Sequence, residues 1–249
     1  MHPTRKTTLV MALLAVAGGA WAQDKTAAPK AEPEYTLSYN VGVVTDYRYR
    51  GISQSRLDPA LQGGIDFAHK SGLYLGTWAS TIKWIKDAGG SGDVEWDVYG
   101  GYKGTAGPVG YDVGVLRYEY PDNKLHPDAN TTELYVAGTV GPATLKYSDS
   151  VTNLFGFANS KNSGYLDLSA TFDLGNGYSI APHVGHQEVK NNGGFSYTDY
   201  SLTLGKDFGN GISVSAAAVG ADASRTAYVT PSGKFTGRSA LVLGAKYSF

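Results

Sequence analysis

The chain has 249 residues, with 21 Lys and Arg against 22 Asp and Glu, no Cys, 33 Gly, 18 Tyr and 2 Met. That charge balance excludes a nucleic-acid binder, which carries a strong basic excess, and the lack of cysteine excludes a disulfide framework. No stretch reaches the roughly 20 apolar residues of a membrane helix.

Residues 1–22 predict a secretory signal peptide. Arg5 and Lys6 are its positive region, Thr8 to Ala17 its apolar run, and Ala20-Trp21-Ala22 a small-x-small cleavage site. Its removal leaves 19 basic against 22 acidic residues, a net charge of −3. Residues 23–34 (QDKTAAPKAEPE) are polar and rich in Ala and Pro, and predict a disordered periplasmic leader. A single domain, 35–249, follows.

The domain opens on a two-residue period. Tyr35, Leu37, Tyr39, Val41, Val43, Thr45, Tyr47 and Tyr49 share one face; Ser38, Asn40, Gly42, Asp46, Arg48 and Arg50 share the other. Such alternation is that of a strand, and sixteen residues is long for a soluble sheet. Leu61, Ile65 and Phe67 then alternate with Gln62, Gly64 and Asp66. Tyr74, Trp78, Ile82 and Trp84 alternate with Thr77, Thr81 and Lys83, and Val94, Trp96 and Val98 with Glu95 and Asp97. Comparable segments recur to the last one, where Leu241, Leu243, Tyr247 and Phe249 oppose Lys246. The count is about twelve. Short Gly-rich turns alternate with longer loops at 51–59, 85–92, 121–130, 153–163, 190–195 and 222–235. This is the pattern of an all-β transmembrane antiparallel up-and-down barrel with short periplasmic turns and longer extracellular loops. The register predicts an outer aromatic girdle of Tyr47, Tyr49, Trp84, Trp96 and Tyr200. The inner girdle has Tyr39, Tyr74, Tyr102, Tyr111, Phe172, Phe208, Tyr247 and Phe249.

Thr45 to Ser55 (TDYRYRGISQS), followed by Pro59 to Gly64 (PALQGG), resembles the TorF family of porins. Gly72 to Ser80 (GLYLGTWAS) and Gly110 to Pro121 (GYDVGVLRYEYP) extend the likeness. The resemblance implies the outer membrane of a Gram-negative bacterium, contact with its lipid and lipopolysaccharide, and assembly by the barrel-assembly machinery, with Tyr247 and Phe249 as the handle. It supplies no cofactor, no catalytic motif and no substrate.

Twelve strands lie between a barrel filled by side chains and one holding an aqueous channel. Many inward positions are small: Gly42, Gly64, Gly110, Gly114, Ser201, Gly205, Ser213 and Ser215. That favours a watered lumen passing small polar or ionic solutes. Inward acids (Asp46, Asp66, Glu95, Asp97, Asp112, Glu133, Asp167, Asp199) face inward bases (Arg48, Arg50, Lys83, Lys146, Arg238, Lys246), which predicts at most weak cation preference. Arg48, Arg50 and Arg238 are expected at one depth near the outer mouth. They either attract carboxylate or phosphate solutes through their bidentate forks or pair with Asp46, Glu95, Asp97 or Asp199 in a structural network. His183 and His186 point to opposite faces and cannot share a metal. Asp122, Asn123, Asp128 and Asn130 offer oxygen ligands without EF-hand spacing. Two other classes remain. A plugged barrel would serve structure or adhesion, and a phospholipase-like enzyme would need His186 beside an outward serine.

Overall fold

The computed structural model describes residues 33–249; the predicted signal peptide and residues 23–32 of the leader lie outside them. Twelve strands form the wall: β1 Tyr35–Val44, β2 Ala60–His69, β3 Leu73–Thr81, β4 Val94–Ala106, β5 Val109–Glu119 and β6 Thr131–Val140. They continue with β7 Ala143–Ser150, β8 Gly164–Ala170 (resumed after Thr171 at Phe172–Gly175), β9 Tyr178–Glu188, β10 Tyr197–Asp207, β11 Ile212–Ala221 and β12 Ala240–Ser248. Each pairs antiparallel with its chain neighbours, and β12 returns to β1 with Val41 opposite Tyr247, so the barrel closes. Most strands are close to the roughly 9–11 residues that cross a bilayer when tilted.

Side-chain alternation divides the wall. Leu37, Val41, Leu61, Leu75, Val113, Leu134, Leu168, Leu204 and Leu243 stand exposed on the outside, and Leu241 is 68 % exposed. A continuous band of this kind exceeds the few hundred Å² of apolar patch that soluble monomers carry. It is a lipid-facing surface. At the short-turn end the outward aromatics meet in pairs: Tyr35 with Phe67, Tyr102 with Tyr111, and Phe249 with both Tyr39 and Tyr247 at 5.6 and 5.4 Å. Backbone bonds of 2.9 and 3.0 Å between Tyr39 and Phe249 complete the seam there.

Two parts of the expected register are corrected. On β3 the outward residues are Leu73, Leu75, Thr77, Ala79 and Thr81, while Tyr74 and Trp78 point inward. Both faces of this segment are apolar enough to face lipid, and the Tyr74 hydroxyl decides, because Asp112, two strands along the same wall on its lumen face, accepts its hydrogen bond at 2.6 Å. The first strand stops at Val44, and Tyr47 and Tyr49 do not join a lipid girdle: they enter the barrel. Trp84 begins a short helix, Trp84–Asp87, and packs edge-on against Tyr120 over the mouth. Of the expected outer girdle, Trp96 and Tyr200 remain outward, 47 % and 50 % exposed.

Phe249→Ala removes both ring contacts at the seam. Urea unfolding in lipid vesicles, followed by tryptophan fluorescence, is expected to report a loss of about 1–3 kcal/mol, two aromatic pairs' worth. An unchanged midpoint would assign the seam to its backbone bonds alone.

Candidate functional site: a hairpin across the lumen

The connection 45–59 after β1 turns inward because its polar residues organise one another. The Asp46 carboxylate accepts from Ser53 Oγ at 2.5 Å, Ser55 Oγ at 3.2 Å and Arg48 Nε at 2.6 Å. Ser55 Oγ in turn accepts from the Tyr47 amide, and the Gln54 amide donates to the Tyr47 carbonyl. Within this frame Arg48–Tyr49 and Ile52–Ser53 pair as a small hairpin. Its two turn residues, Arg50 and Gly51, have φ of 46° and 76°, the left-handed backbone that a two-residue primed turn demands. Glycine at 51 is required twice over, since a Cβ there would collide with Asp199 on β10.

The tip crosses to the far wall. Arg50 Nη2 pairs with Glu133 on β6 at 2.7 Å and Nη1 donates to Gln187 on β9 at 2.5 Å. Its guanidinium lies over the ring of Tyr165 on β8, 4.1 Å from the centroid. These strands flank the position opposite β1 in the ring, so the hairpin spans the lumen. Tyr47 donates to Glu95 on β4 at 2.6 Å, and burial pushes the pKa of this hydroxyl well up, so it stays a donor. Tyr49 and Tyr118 share a hydroxyl contact of 2.5 Å, and Phe155 from the loop 151–163 closes edge-on over both. Ile85, Tyr120, Ala129 and Leu116 complete an apolar cluster beneath the long loops. The constriction is a packed core built from wall and loops together.

The sequence-named residues separate accordingly. Arg48 is held by Asp46, and its Nη1 donates to the carbonyls of Gly51, Thr236 and Arg238 at 2.9, 3.1 and 3.0 Å. Arg238 contributes that carbonyl, and its residue is exposed, so the three guanidiniums do not converge. Arg50 pairs with Glu133, outside the four acids expected as partners. Lys83 lies on the outer rim and pairs with Asp58 at 2.6 Å instead of lining the lumen. Glu95, Asp97 and Asp199 are buried in the wall around the hairpin, and Asp199 accepts from Tyr165 at 2.9 Å. Gln187, Tyr165 and Tyr118 belong to this site with no local sequence signal to mark them, and Tyr49 joins them from the expected outer girdle.

Below the hairpin the lumen changes character. Lys146 sits over the Tyr135 ring at 4.0 Å, His183 meets Asp167 at 2.5 Å, Tyr74 holds Asp112, and Tyr99 holds Asp66. Tyr74, Tyr99, Tyr135 and Tyr165 lie flat over Gly101, Gly76, Gly114 and Gly185 on adjoining strands, so close that a methyl at any of these glycines would collide with the ring. The opposite wall carries small residues: Ser201, Gly205, Ser213, Ser215 and Gly42. Large rings are laid along one side of the lumen and small residues stand on the other.

Outside, His186 hydrogen-bonds Thr198 at 3.0 Å and has no serine partner among the described residues. Asn123 donates to Asp128 and Asn130 within their own loop, which occupies the oxygens that a cation would need.

Arg50→Met strands a Glu133 carboxylate that is almost fully buried. The docked hairpin is expected to lose about 3–5 kcal/mol, read as faster amide hydrogen exchange over 47–55 with the wall strands unaffected. Arg50→Met with Glu133→Gln should lose distinctly less. Equal losses in the single and double variants would refute an ionic clamp.

Comparison with solved structures finds the same architecture in porins. The KdgM porin, solved in complex with disordered oligogalacturonate, is 10 % identical, with a TM-score of 0.55 over 86 % of this chain and 98 % of that one. The NanC porin is 12 % identical, with a TM-score of 0.53 over 86 % and 99 %. The Acinetobacter baumannii outer membrane protein Omp33 is 8 % identical, with a TM-score of 0.50 over 87 % and 99 %. At these identities the likeness is one of fold, an outer-membrane porin barrel. No curated protein matches the sequence. The family model "Bacterial protein of unknown function (Gcw_chp)" matches residues 27–249, hairpin and all twelve strands included, and the chain belongs to that family.

Proposed function

We propose that this barrel is an outer-membrane channel for passive diffusion of small polar or ionic solutes, with the inward hairpin as its constriction. One observation carries the reading: a closed barrel, apolar outside, keeps partly exposed charged and hydroxyl groups along the lumen below residue 50. Lys146, Asp112, Asp167 and His183 are costly in a dry interior and cheap in a watered one. The TorF resemblance of residues 45–64 falls on the constriction itself, and the porin folds of the similar structures support the same reading. In this reading the long loops face outward from the cell, with lipid and lipopolysaccharide around the apolar band.

Selectivity in this channel follows from what the hairpin leaves free. Arg48 and Arg50 are neutralised by Asp46 and Glu133, so they shape the opening and exert little anion attraction. The expected conductance is small, with weak preference by sign. Single-channel recording of the purified protein in planar bilayers is expected to show small steps that grow severalfold in Arg50→Met, whose hairpin loses its clamp. Silence in both proteins would overturn the channel.

A second reading, a plugged barrel with a structural role, draws on the apolar cluster that packs Tyr47 and Tyr49 under the loops. The two readings part at Gly76→Ala. Its methyl meets the Tyr99 side chain alone and must lift that ring off the wall and into the lumen. Lower conductance without loss of barrel stability is expected of a channel, whereas in a plugged barrel the substitution changes stability alone.

A further inference from the structure

A cleft on the outer rim lies between the returning limb of the inward loop, the short helix Trp84–Asp87 and the tops of β3 and β4. It measures ≈ 500 Å³ and is lined by Arg56, Thr81, Ile82, Lys83, Lys86, Asp93 and Val94. Three cations and one acid make this lining net positive, although the chain as a whole is slightly acidic. The partners that hold two of the cations, Asp58 and Asp87, stand outside the lining.

The cations are only partly engaged. Lys83 Nζ donates once, to Asp58 at 2.6 Å, and Lys86 Nζ once, to Asp93 at 2.9 Å, while each ammonium carries three donors. Arg56 binds Asp87 through Nε and Nη2 and keeps Nη1. Hydrogen bonding from Lys83, then the charges of Lys83, Lys234 and Arg56, hold the Asp58 carboxyl below its ordinary range, which marks how much positive charge gathers here. With side chains between 33 % and 46 % exposed, these cations sit in screened pairs worth little, so an incoming anion can share or replace the carboxylates.

The cleft also straddles a polarity boundary. Thr81 and Val94 are register partners whose side chains face outward at the ends of β3 and β4. Directly below them Trp96 faces lipid and donates Nε1 to Thr77 Oγ1 at 2.6 Å, as an interfacial indole does. A ligand in this cleft therefore has its charge among Arg56, Lys83 and Lys86 and an apolar portion along Val94 and Trp96. A free solute has no use for that second surface.

We propose that the cleft binds the phosphorylated headgroup of an outer-leaflet glycolipid, with Arg56, Lys83 and Lys86 as phosphate donors and Val94 and Trp96 flanking the first acyl carbons. The inference rests on the outward orientation of the long loops given above.

Native mass spectrometry of the refolded full chain in detergent micelles tests it, with bis-phosphorylated lipid A and its dephosphorylated form as probes. Retention of the phosphorylated lipid is expected, with about tenfold weaker binding of the dephosphorylated one, the equivalent of 1.4 kcal/mol. The Lys83→Gln and Lys86→Gln double variant should lose a similar factor, and Lys190→Gln, on a distant part of the rim, none. Asp93→Asn should bind more tightly, because it removes the lining's acid without touching a donor. This arm reads the site even if the double lysine variant fails to fold. Equal binding of the two lipids, or an unaltered double variant, overturns the proposal. Displacement of lipid A by inorganic phosphate at sub-millimolar concentration also overturns it, by assigning the cleft to a free anion. A barrel that conducts but ignores lipid A refutes the lipid site alone, and one that retains lipid A but never conducts refutes the channel alone.

Discussion

The structure depends on closure. In a bilayer every backbone N–H and C=O must be paired within the protein, because lipid offers no partner, and only a sheet without edges meets that demand with strands. Here the last pairing, β12 on β1, satisfies it, and Tyr39 and Phe249 fasten the seam with reciprocal backbone bonds and stacked rings. Everything else follows from having made a tube. Its outside must be apolar without interruption. Its inside must be filled by side chains or by water, and twelve strands lie between the sizes at which strand number alone decides.

The chain resolves that choice differently at its two ends. Toward the long loops it fills the tube with its own backbone, folding residues 45–59 inward and packing Tyr47 and Tyr49 against Trp78, Tyr118 and Phe155. Toward the short turns no chain enters the tube, and four tyrosines are laid against the wall over glycines on neighbouring strands. A tyrosine standing upright would cross much of the lumen; laid flat, it leaves only its hydroxyl edge for Asp66 or Asp112. Glycine in a strand weakens the wall, and here the ring above it supplies the missing contact. A narrow barrel thereby obtains a polar lining without thick walls.

Much of the barrel is legible in the sequence because lipid and lumen impose opposite polarity on alternate residues. Val94, Trp96 and Val98 opposite Glu95 and Asp97 admit one register, as do Leu241, Leu243 and Tyr247 opposite Lys246. Where tyrosine or tryptophan dominates, the code degrades, since these side chains suit lipid, interface and lumen alike. That is why Tyr74 and Trp78 read as outward and point inward. The hairpin is hidden by a stronger version of the same ambiguity. Tyr47 and Tyr49 extend the apolar face of β1, and Asp46, Arg48 and Arg50 extend its polar face, so the alternation carries on past the strand's true end at Val44. The local signal for the turn is Arg50-Gly51 between two short β-prone pairs. It competes with sixteen residues of periodicity and loses. The partners that settle the matter, Glu133, Tyr165 and Gln187, are 83, 115 and 137 positions away from Arg50, beyond anything local pattern can convey.

The placement of charge separates the constriction from the rim. The Arg50–Glu133 pair is nearly dry, at 7 % and 3 % side-chain exposure, and both partners are further tied by Gln187, Tyr165 and Tyr118. Buried pairs of this kind gain little net stability over an apolar substitute, but breaking one leaves an uncompensated ion, so they enforce a geometry more than they add to it. Arg50 itself carries a left-handed backbone that a non-glycine residue adopts only where its surroundings hold it. Together these make the hairpin position close to all-or-none: docked with Arg48 and Arg50 both paired, or released at a large cost. The rim pairs of Arg56, Lys83 and Lys86 are wet and individually weak, and can exchange partners. Salt therefore screens the rim and barely touches the clamp, so the hairpin keeps a fixed position while the rim pairs stay free to exchange partners.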